Sequence, residues 1–517
     1  MQRSKADRQV LAAYRYFPSI RDPTRRWNTA YWSLSSHQMA SYTAPRMRSL
    51  CSLRLVSRQP SSSVSLRQAL RDERTKGPMQ FNRCRCEDSG ASHHKLTVAA
   101  ATGDVPPLEA SRRSAIASFK VMDVVAQADE LMREGRDIYH MEVGQPQSSA
   151  PEAAVRAANS AMLSDRCGYT AARGEMPLRE AIAGMYGETY GDAAAIGPQH
   201  VHVTPGSSGA FSLAFIAAFD VGDAVAVASS SYPCYRNILT ALGIDVVTIP
   251  VNARYVVTAL ELETAQAKRA AAGMPPIKGL VLSSPGNPTG AMLTPEELRD
   301  LCALCDATAC QFVSDEIYHG ISYTGAPRAA SALEFTRKAI VINSFSKFYS
   351  MTGWRLGWLV VPDHLDSCID ALNQNMNVSA PTLAQRAAVA ALHAEAAPEL
   401  LGHIDRYAIN RTIVLDSLAE MGLTDVSPAE GAFYVYVNLQ AEGVTDSAAL
   451  CSALLNEAGV AIVPGVDFEE PGSGKGERSV RLSYPGSTED IQQAMSLFQH
   501  WWSTSSTAMA LRGQVKA

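Results

Sequence analysis

Residues 339–362 read AIVINSFSKFYSMTGWRLGWLVVP, and this stretch decides the fold. Two apolar runs, AIVINSF and LGWLVVP, flank a polar segment that contains one lysine and one arginine. Apolar runs of this length that are rich in β-branched residues and do not alternate with polar ones are typical of strands buried on both faces. The stretch therefore predicts part of a buried sheet, with polar side chains at the ends of its strands.

Five similar runs precede this stretch and are separated by segments of helix length. They are HVHVTPG (200–206), DAVAVASS (223–230), DVVTIPV (245–251), GLVLSSP (279–285) and CQFVSDE (310–316). Strands that alternate with helices pair in parallel, because each crossover helix returns the chain to the same end of the sheet. The sequence therefore predicts an α/β fold, with a mostly parallel seven-stranded sheet between helices.

The pattern changes on either side of this central region. Past residue 395 a long helical segment is followed by the strand GAFYVYVNL, a further helix and VRLSYPG. We expect a large domain at 146–394, a smaller α+β domain from 105–145 and 395–502, and a disordered tail at 503–517. The segment TPEE predicts a helix start, with Thr294 as N-cap and Glu297 completing a capping box.

The chain begins with a basic leader. Residues 1–95 contain 18 Lys and Arg against 6 Asp and Glu, which leaves 28 against 45 for the rest of the 517 residues. From Met39, a candidate initiator, the leader is rich in Arg and Ser and has no acidic residue before Asp72. This composition is typical of an organelle transit peptide. We predict such a peptide within 1–100, with plastid favoured over mitochondrion and the cytosol left open; a basic tail without targeting function is the alternative.

The composition excludes several other classes. With 46% hydrophobic and 19% charged residues, the chain is neither collagen-like nor disordered throughout. Its longest apolar run, 210–219, is too short to cross a bilayer, so no membrane association is predicted. No winged-helix pattern precedes residue 100, and no nucleic-acid partner is expected. The CxxC at Cys302 and Cys305 lies in a helical pattern with no second CxxC or His pair nearby, so packing is the favoured interpretation and no metal is predicted.

Polar segments follow the predicted strands, and ligands of parallel sheets bind beyond the carboxyl ends of the strands. In TPGSSGA a strand gives way to a helix, and the small residues leave backbone N–H groups free to hold a phosphate. Ser344, Ser346 and Arg355 would add hydroxyls and a fixed positive charge to that site.

The chemistry of the site depends on a carboxylate and an amine. Asp315 ends an apolar strand, and a buried carboxylate there needs a cationic partner such as a pyridinium N–H. Lys347 lies among hydroxyls and near Arg355, whose positive charge should lower the pKa of the amine and make it a nucleophile for a Schiff base. Tyr232 offers a ring face on which a flat heterocycle can stack.

SSPGNPTG (283–290), SDEIYHG (314–320) and SFSKFYSMTGWRLGW (344–358), in this order, resemble the class I/II aminotransferases of the fold-type I pyridoxal-phosphate enzymes. The resemblance covers about 105–500. It implies that pyridoxal 5′-phosphate is the cofactor, that Lys347 forms the Schiff base and moves the substrate proton, and that Asp315 keeps the pyridine nitrogen protonated. It also implies that Asn287 and Tyr318 hydrogen-bond the 3-oxygen of the cofactor.

The resemblance assigns further residues by their place in the family's motifs. It implies that Ser207, Ser208, Ser344, Ser346 and Arg355 hold the phosphate. Tyr169, in YTAARG, matches a tyrosine that reaches the phosphate of the neighbouring subunit, which implies a homodimer with shared active sites. Arg481, in VRLSYPG, matches the arginine that binds the substrate carboxylate, with backbone help from Gly144.

The implied reaction is transfer of an amino group from a small α-amino acid to a 2-oxo acid by a ping-pong mechanism. Glutamate and 2-oxoglutarate are the expected partner pair, because they are the usual one in the family. A β- or γ-elimination or another fold-type I reaction would use the same Lys347 and Asp315. A cofactor-binding regulator and a protein that has lost its activity are weaker alternatives.

Substrate specificity stays open at this stage. Ser208 occupies the position of a lysine found in one bacterial-type branch of aspartate aminotransferases, which argues against strict dicarboxylate specificity. An arginine of the neighbouring subunit, namely Arg254, Arg269 or Arg328, could still bind a distal carboxylate. Alanine, aromatic, methionine-like and branched substrates all remain candidates.

Overall fold

A seven-stranded sheet forms the centre of the computed structural model, which describes residues 108–513. The predicted leader (1–100) and the last four residues of the predicted tail lie outside the described residues. From Ala110 onward the described chain belongs to one compact unit. The predicted domain boundary near 395 falls just before a long helix, and the division into a large and a small domain stays a prediction.

Each of the seven apolar runs forms a strand of the central sheet, as predicted. The strands of the described residues are β1 (Tyr139–His140), β2 (Val201–Thr204), β3 (Ala224–Ala228), β4 (Asp245–Ile249), β5 (Ile277–Ser283), β6 (Gln311–Asp315), β7 (Ile340–Ser344), β8 (Gly357–Val360), β9 (Tyr434–Asn438), β10 (Val460–Ala461), β11 (Val463–Pro464) and β12 (Ser479–Ser483). The order of the central sheet is β2-β8-β7-β6-β5-β3-β4, and only β8 runs antiparallel to its neighbours.

The described residues also form thirteen α-helices. They are α1 (Lys120–Arg133), α2 (Glu152–Ser164), α3 (Met176–Tyr190), α4 (Gly206–Ala218), α5 (Pro233–Ala241), α6 (Ala259–Ala271), α7 (Pro295–Thr308), α8 (Asp363–Met376), α9 (Thr382–Ala391), α10 (Ala397–Glu420), α11 (Ser447–Ala458), α12 (Thr488–Thr504) and α13 (Ser506–Leu511). The predicted capping box at the start of α7 is confirmed. None of these helices is long and apolar enough to span a bilayer.

The register of the sheet brings its polar strand ends together. Ser283 of β5 lies opposite Asp315 of β6, and Asp315 lies opposite Ile342 of β7. Since these strands are parallel, their carboxyl ends open at the same edge. The loops that follow them therefore converge on one site.

The antiparallel strand β8 completes this edge. Its first residue, Gly357, pairs with Thr204 at the end of β2 and with Ser344 at the end of β7. A side chain on Gly357 would meet the backbone of Gly206 and Ser207 at 2.8 Å. Glycine at this position thus allows the start of α4 to approach the end of β7.

The remaining strands form two smaller sheets. β11, β12 and β9 pair antiparallel, with Arg481 of β12 opposite Tyr436 of β9. The predicted strand IYHMEVG pairs over Tyr139–His140 only, parallel to β10. Its continuation stays attached through the backbone N–H of Met141, which donates to the carbonyl of Ala461 at 2.9 Å.

The predicted disordered tail at 503–517 is wrong for the residues up to 513. Helix α12 continues to Thr504, and α13 follows after Ser505, whose hydroxyl accepts from the N–H of Ala508 at 3.3 Å. Ala508 is fully buried, and the guanidinium of Arg512 lies 4.4 Å from the ring centroid of Trp502. A serine- and threonine-rich composition suggested a loop, whereas the serine acts as a helix cap.

Candidate active site

The start of α4 forms a cradle of backbone N–H groups beside a guanidinium. Gly206 begins the helix with φ +75°, and a side chain on it would lie 2.5 Å from Nη2 of Arg355. Ser207 and Ser208 follow in the first turn, where N–H groups have no partner within the helix. The positive end of the helix and Arg355 thus face the same space, which suits a phosphate dianion.

The other predicted phosphate ligands lie beside this cradle. Ser344 and Ser346 are buried, and Oγ of Ser344 accepts from the N–H of Ser346 at 3.1 Å. Arg355 donates from Nη1 to the carbonyl of Thr352 at 3.0 Å and forms no ion pair with a described carboxylate. A cation without an acidic partner next to a helix N-terminus fits the phosphate of the predicted cofactor.

Asp315 lies at the end of β6 with 3% of its surface exposed. Its Oδ1 accepts from the N–H of Ile317 at 3.1 Å, and its Oδ2 accepts from the hydroxyl of Tyr235. Burial raises the pKa of this carboxyl to about 6, and the hydrogen bond from Tyr235 opposes the rise. No described cation forms an ion pair with it, so a ring N–H⁺ would supply the missing partner.

Lys347 follows β7, and its Nζ donates to the carbonyl of Gly144 at 2.5 Å. Its amine lies 6.0 Å from the ring centroid of Tyr318. Burial, followed by the positive charges of Arg481 and Arg355, lowers the pKa of this amine to about 8, while Asp315 acts in the opposite direction. An amine with such a pKa is partly unprotonated near neutrality and can act as a nucleophile.

Two tyrosine hydroxyls and a backbone carbonyl lie in hydrogen-bond contact beside this amine. The hydroxyls of Tyr318 and Tyr434 are 2.7 Å apart, and the hydroxyl of Tyr434 donates to the carbonyl of Gly144 at 3.5 Å. A side chain on Gly144 would come within 2.1 Å of that hydroxyl. Position 144 therefore requires glycine because of the close approach of Tyr434.

Arg481 is the most enclosed cation of the site, with 4% of its surface exposed. It donates to Oδ1 of Asn287 at 3.1 Å and to the carbonyl of Glu142 at 2.5 Å, and its Nε has no partner in the described protein. The rings of Tyr434 and Phe468 lie 4.7 and 4.8 Å from the guanidinium carbon. A buried guanidinium that forms no ion pair with a described carboxylate fits an anionic substrate group.

The two remaining predicted residues differ in their surroundings. Tyr232, at the N-cap of α5, is partly buried, and its ring centroid lies 6.2 Å from that of Phe119 and 5.6 Å from that of Tyr235. Tyr169 is 88% exposed and touches none of the site residues described above. The structure thus brings the predicted residues together except Tyr169, whose predicted role lies in a neighbouring subunit.

Three residues of the site were missed at the sequence level. Tyr235 bonds Asp315, while Tyr434 and Phe468 enclose Arg481. The i, i+3 spacing of two tyrosines in SYPCY could have indicated that Tyr235 shares a face with Tyr232. In GAFYVYVNL, alternation places Tyr434 and Tyr436 on one face of β9, but only the register of the sheet sets Arg481 against that face.

Residues suited to a phosphate, a ring N–H⁺, a Schiff base and a substrate carboxylate thus lie at one edge of the sheet, as expected of a pyridoxal-phosphate enzyme that acts on carboxylate substrates. The comparisons with known proteins agree. The family model described as aminotransferase class I and II matches residues 136–498. The chain belongs to this family.

Relatives and solved structures extend the match to most of the folded chain. A valine–pyruvate aminotransferase of Mycobacterium tuberculosis is 44% identical over 75% of this chain and 97% of its own length. An aspartate aminotransferase of Thermotoga maritima is 32% identical, with 74% of this chain and 97% of its own covered. The crystal structure of an aminotransferase from Mycobacterium tuberculosis superposes with a TM-score of 0.72 at 43% identity and covers 76% of this chain and 99% of its own.

The protein is therefore a pyridoxal-phosphate-dependent aminotransferase acting on amino and oxo acids. When bound, the cofactor supplies an electron sink for the electrons of the bond that breaks at the substrate Cα. For this chain's residues, the individual roles stay predictions that the geometry fits. In these roles Arg481 orients the substrate carboxylate, Asp315 keeps a proton on the ring nitrogen, and Nζ of Lys347 carries the proton from Cα.

The lowered pKa of Lys347 predicts how the apo protein takes up its cofactor. The rate of covalent attachment of pyridoxal phosphate should rise with pH and level off above about 8, because only the unprotonated amine reacts. Removing a neighbouring positive charge in Arg481→Leu raises the pKa of the amine, so the midpoint should move to higher pH. Stopped-flow absorbance of the apo protein across pH measures the attachment rate of the unaltered protein and of the variant. An unchanged midpoint in the variant would contradict a Coulombic effect of Arg481 on the pKa of Lys347.

Arg481→Leu should also weaken substrate binding. Loss of a charged partner from a desolvated site costs about 2–4 kcal/mol, or roughly 30- to 1000-fold in the dissociation constant of an unreactive monocarboxylate. Arg411→Leu is the matched control, since Arg411 also bonds a backbone carbonyl and stacks on a tyrosine, Tyr323, outside the site. Equal effects of the two substitutions in an inhibitor titration would refute the assignment of Arg481.

Proposed function

We propose that this aminotransferase exchanges the amino group of a small apolar α-amino acid, such as valine or alanine, with a monocarboxylic 2-oxo acid such as pyruvate. The observation that carries the proposal is that Arg481 is the only buried guanidinium that the described residues leave unpaired at the substrate end of the site. One unpaired cation binds one carboxylate. The 44% identity with a relative named valine–pyruvate aminotransferase supports the same substrate class.

The three arginines considered for a distal carboxylate have partners within their own chain. Arg254 pairs with Glu297 at 2.6 Å, and Arg328 forms two hydrogen bonds with Glu334 at 3.0 and 2.8 Å. Arg269 donates to the carbonyl of Pro275 at 2.8 Å. A dicarboxylate would have to compete with these contacts, whereas the aromatic rings around Arg481 and Tyr232 suit an apolar side chain.

An absorbance titration of the holoprotein tests this substrate class. Valine and alanine should convert the cofactor to its amino form at lower concentration than aspartate, and pyruvate should restore the starting spectrum more readily than 2-oxoglutarate. The same panel with Ser208→Lys serves as the comparison, since an added cation should shift the preference toward aspartate. Preference of the unaltered protein for aspartate would overturn the proposed substrate, and ammonia release would replace transamination by elimination.

The proposed enzyme is a homodimer in which Tyr169 of each subunit reaches the phosphate site of the other. The 88% exposure of this tyrosine supports the proposal, because a large ring in a well-anchored loop gains little from facing solvent. Exposed apolar side chains flank the same loop, with Leu163 at 90% and Met162 at 56% on one side and Met176 at 49% on the other. A second copy of the chain would cover them.

The leader within 1–100 is proposed to direct the enzyme to an organelle, with plastid favoured over mitochondrion. Its support is the net charge of +12 over residues 1–95 and the absence of acidic residues from Met39 to Arg71. Residues 39–100 fused to a fluorescent reporter should be imported by isolated chloroplasts and shortened on entry. A fusion of residues 1–38 is the control. If neither chloroplasts nor mitochondria import the 39–100 fusion, the proposed organelle targeting is wrong.

A further inference from the structure

The loop between α2 and α3, residues 165–175, carries Tyr169 and is anchored by the first turn of α9. The hydroxyl of Thr382 donates to the carbonyl of Gly168 at 2.6 Å. One residue after Gln385, Arg386 forms ion pairs with Asp165 and Glu175, which stand at the two ends of the loop. Both ends are thus tied to the same helix.

Gln385 holds the middle of this loop from a fully buried position. Its Nε2 donates to Oγ1 of Thr170 at 3.0 Å and to the carbonyl of Ala380 at 2.9 Å. Its Oε1 accepts from the N–H of Glu175 at 2.8 Å. Both amide protons and the carbonyl are therefore used, and a buried amide with all its groups paired has only one favourable orientation. That orientation fixes Thr170, the neighbour of Tyr169.

A second buried amide joins the loop to β2, the strand that leads into the phosphate cradle of the same subunit. Nδ2 of Asn373, on α8, donates to the carbonyls of Ala172 at 2.7 Å and of Val203 at 3.1 Å, and its Oδ1 accepts from Asn377 at 2.9 Å. Val203 lies on β2, three residues before Gly206, where the cradle begins. The N–H of Val203 also donates to the carbonyl of Arg173 at 3.0 Å.

Close packing leaves little freedom between the loop and β2. Gly174 has φ +103°, and a side chain on it would lie 2.4 Å from Cγ2 of Val203 and 3.3 Å from Oε1 of Gln385. The loop, the strand and the buried amide thus meet at a position where only glycine fits. Movement of the loop would have to displace β2 or break these hydrogen bonds.

We propose that Gln385 and Asn373 are positioning residues for the cofactor phosphate, and that Gln385 acts on the site of the opposite subunit. Gln385 fixes the loop from which Tyr169 projects, while Asn373 ties that loop to β2, which leads into the cradle of its own subunit. The inference rests on the proposed dimer. It adds that the two phosphate sites of the dimer are mechanically connected through the 165–175 loop.

Hybrid dimers distinguish an effect on the opposite subunit from a general loss of structure. In the first hybrid, one subunit carries Lys347→Ala together with Gln385→Met and its partner is unaltered. In the second, one subunit carries Lys347→Ala and the other Gln385→Met. Each hybrid retains one reactive Lys347, so the absorbance of covalently bound pyridoxal phosphate reports the cofactor affinity of a single site.

The first hybrid should bind the cofactor roughly tenfold more weakly than a reference hybrid that carries only Lys347→Ala in one subunit, because a hydrogen bond to a charged phosphate is misplaced. The second should stay within about twofold of the reference. Tyr169→Phe placed beside Lys347→Ala should reproduce the first result. Asn373→Leu should weaken binding in both arrangements, since Asn373 contacts the loop and also the strand that leads into the cradle.

Gln266→Met is the matched control. Gln266 also bonds backbone through both ends of its amide, at 3.0 Å to the N–H and 3.0 Å to the carbonyl of Ile277, away from the 165–175 loop. It should leave cofactor affinity unchanged in both hybrids. If Gln385→Met does not yield soluble protein, Thr170→Val removes the same link from the loop side.

Sedimentation of the unaltered protein separates the two proposals. A monomer would overturn the proposed dimer and this inference with it. If the protein is a dimer but the two hybrids bind the cofactor with equal affinity, whether or not that affinity is below the reference, the proposed role of Gln385 is wrong. The proposed function is unaffected by that result.

Discussion

The site depends on positive charges that form no ion pair with the carboxylates of residues 108–513. Lys347, Arg355 and Arg481 converge at one edge of the sheet, and none of them pairs with a carboxylate of the described chain. Leaving Arg481 without an acidic partner is costly, since a buried cation that lacks an anionic partner loses its hydration without full compensation. In the predicted roles of these residues, a bound phosphate and a substrate carboxylate would supply the missing negative charge. The protein thus gains affinity for anions but is less stable when no anion is bound.

Backbone carbonyls make this arrangement tolerable. The segment after β1 supplies two of them, since the carbonyl of Glu142 accepts from Arg481 and that of Gly144 accepts from Lys347. A carbonyl orients a cation without cancelling its charge, whereas a carboxylate would compete with the ligand. Tyr434 leaves room only for glycine at position 144. The absence of a side chain there also allows this segment to approach the amine of Lys347.

Much of this could be predicted from sequence. Strand runs and caps are local features, so the seven-stranded sheet and the α7 capping box followed from them. Lys347, Asp315 and Arg481 stand in motifs whose chemistry is specific. The contacts of Tyr235 and Gln385 were not predictable in the same way, because each depends on a partner brought close by the fold, 80 residues away for Asp315 and 215 for Thr170. From the sequence alone, a tyrosine on a helix cannot be told from one that only packs in the core, nor a glutamine from one that faces solvent.

The cations of the site also act on one another. Arg481 and Arg355 both lower the pKa of Lys347, after the larger effect of burial. An anion bound at either guanidinium removes part of that effect, so the pKa of the amine should rise as the phosphate and the substrate carboxylate are bound. A higher pKa makes Lys347 a stronger base when a Cα proton is within reach, and a lower one keeps it nucleophilic when the site is empty of anions. In their predicted roles, the two guanidiniums would both hold the ligands and adjust the basicity of Lys347.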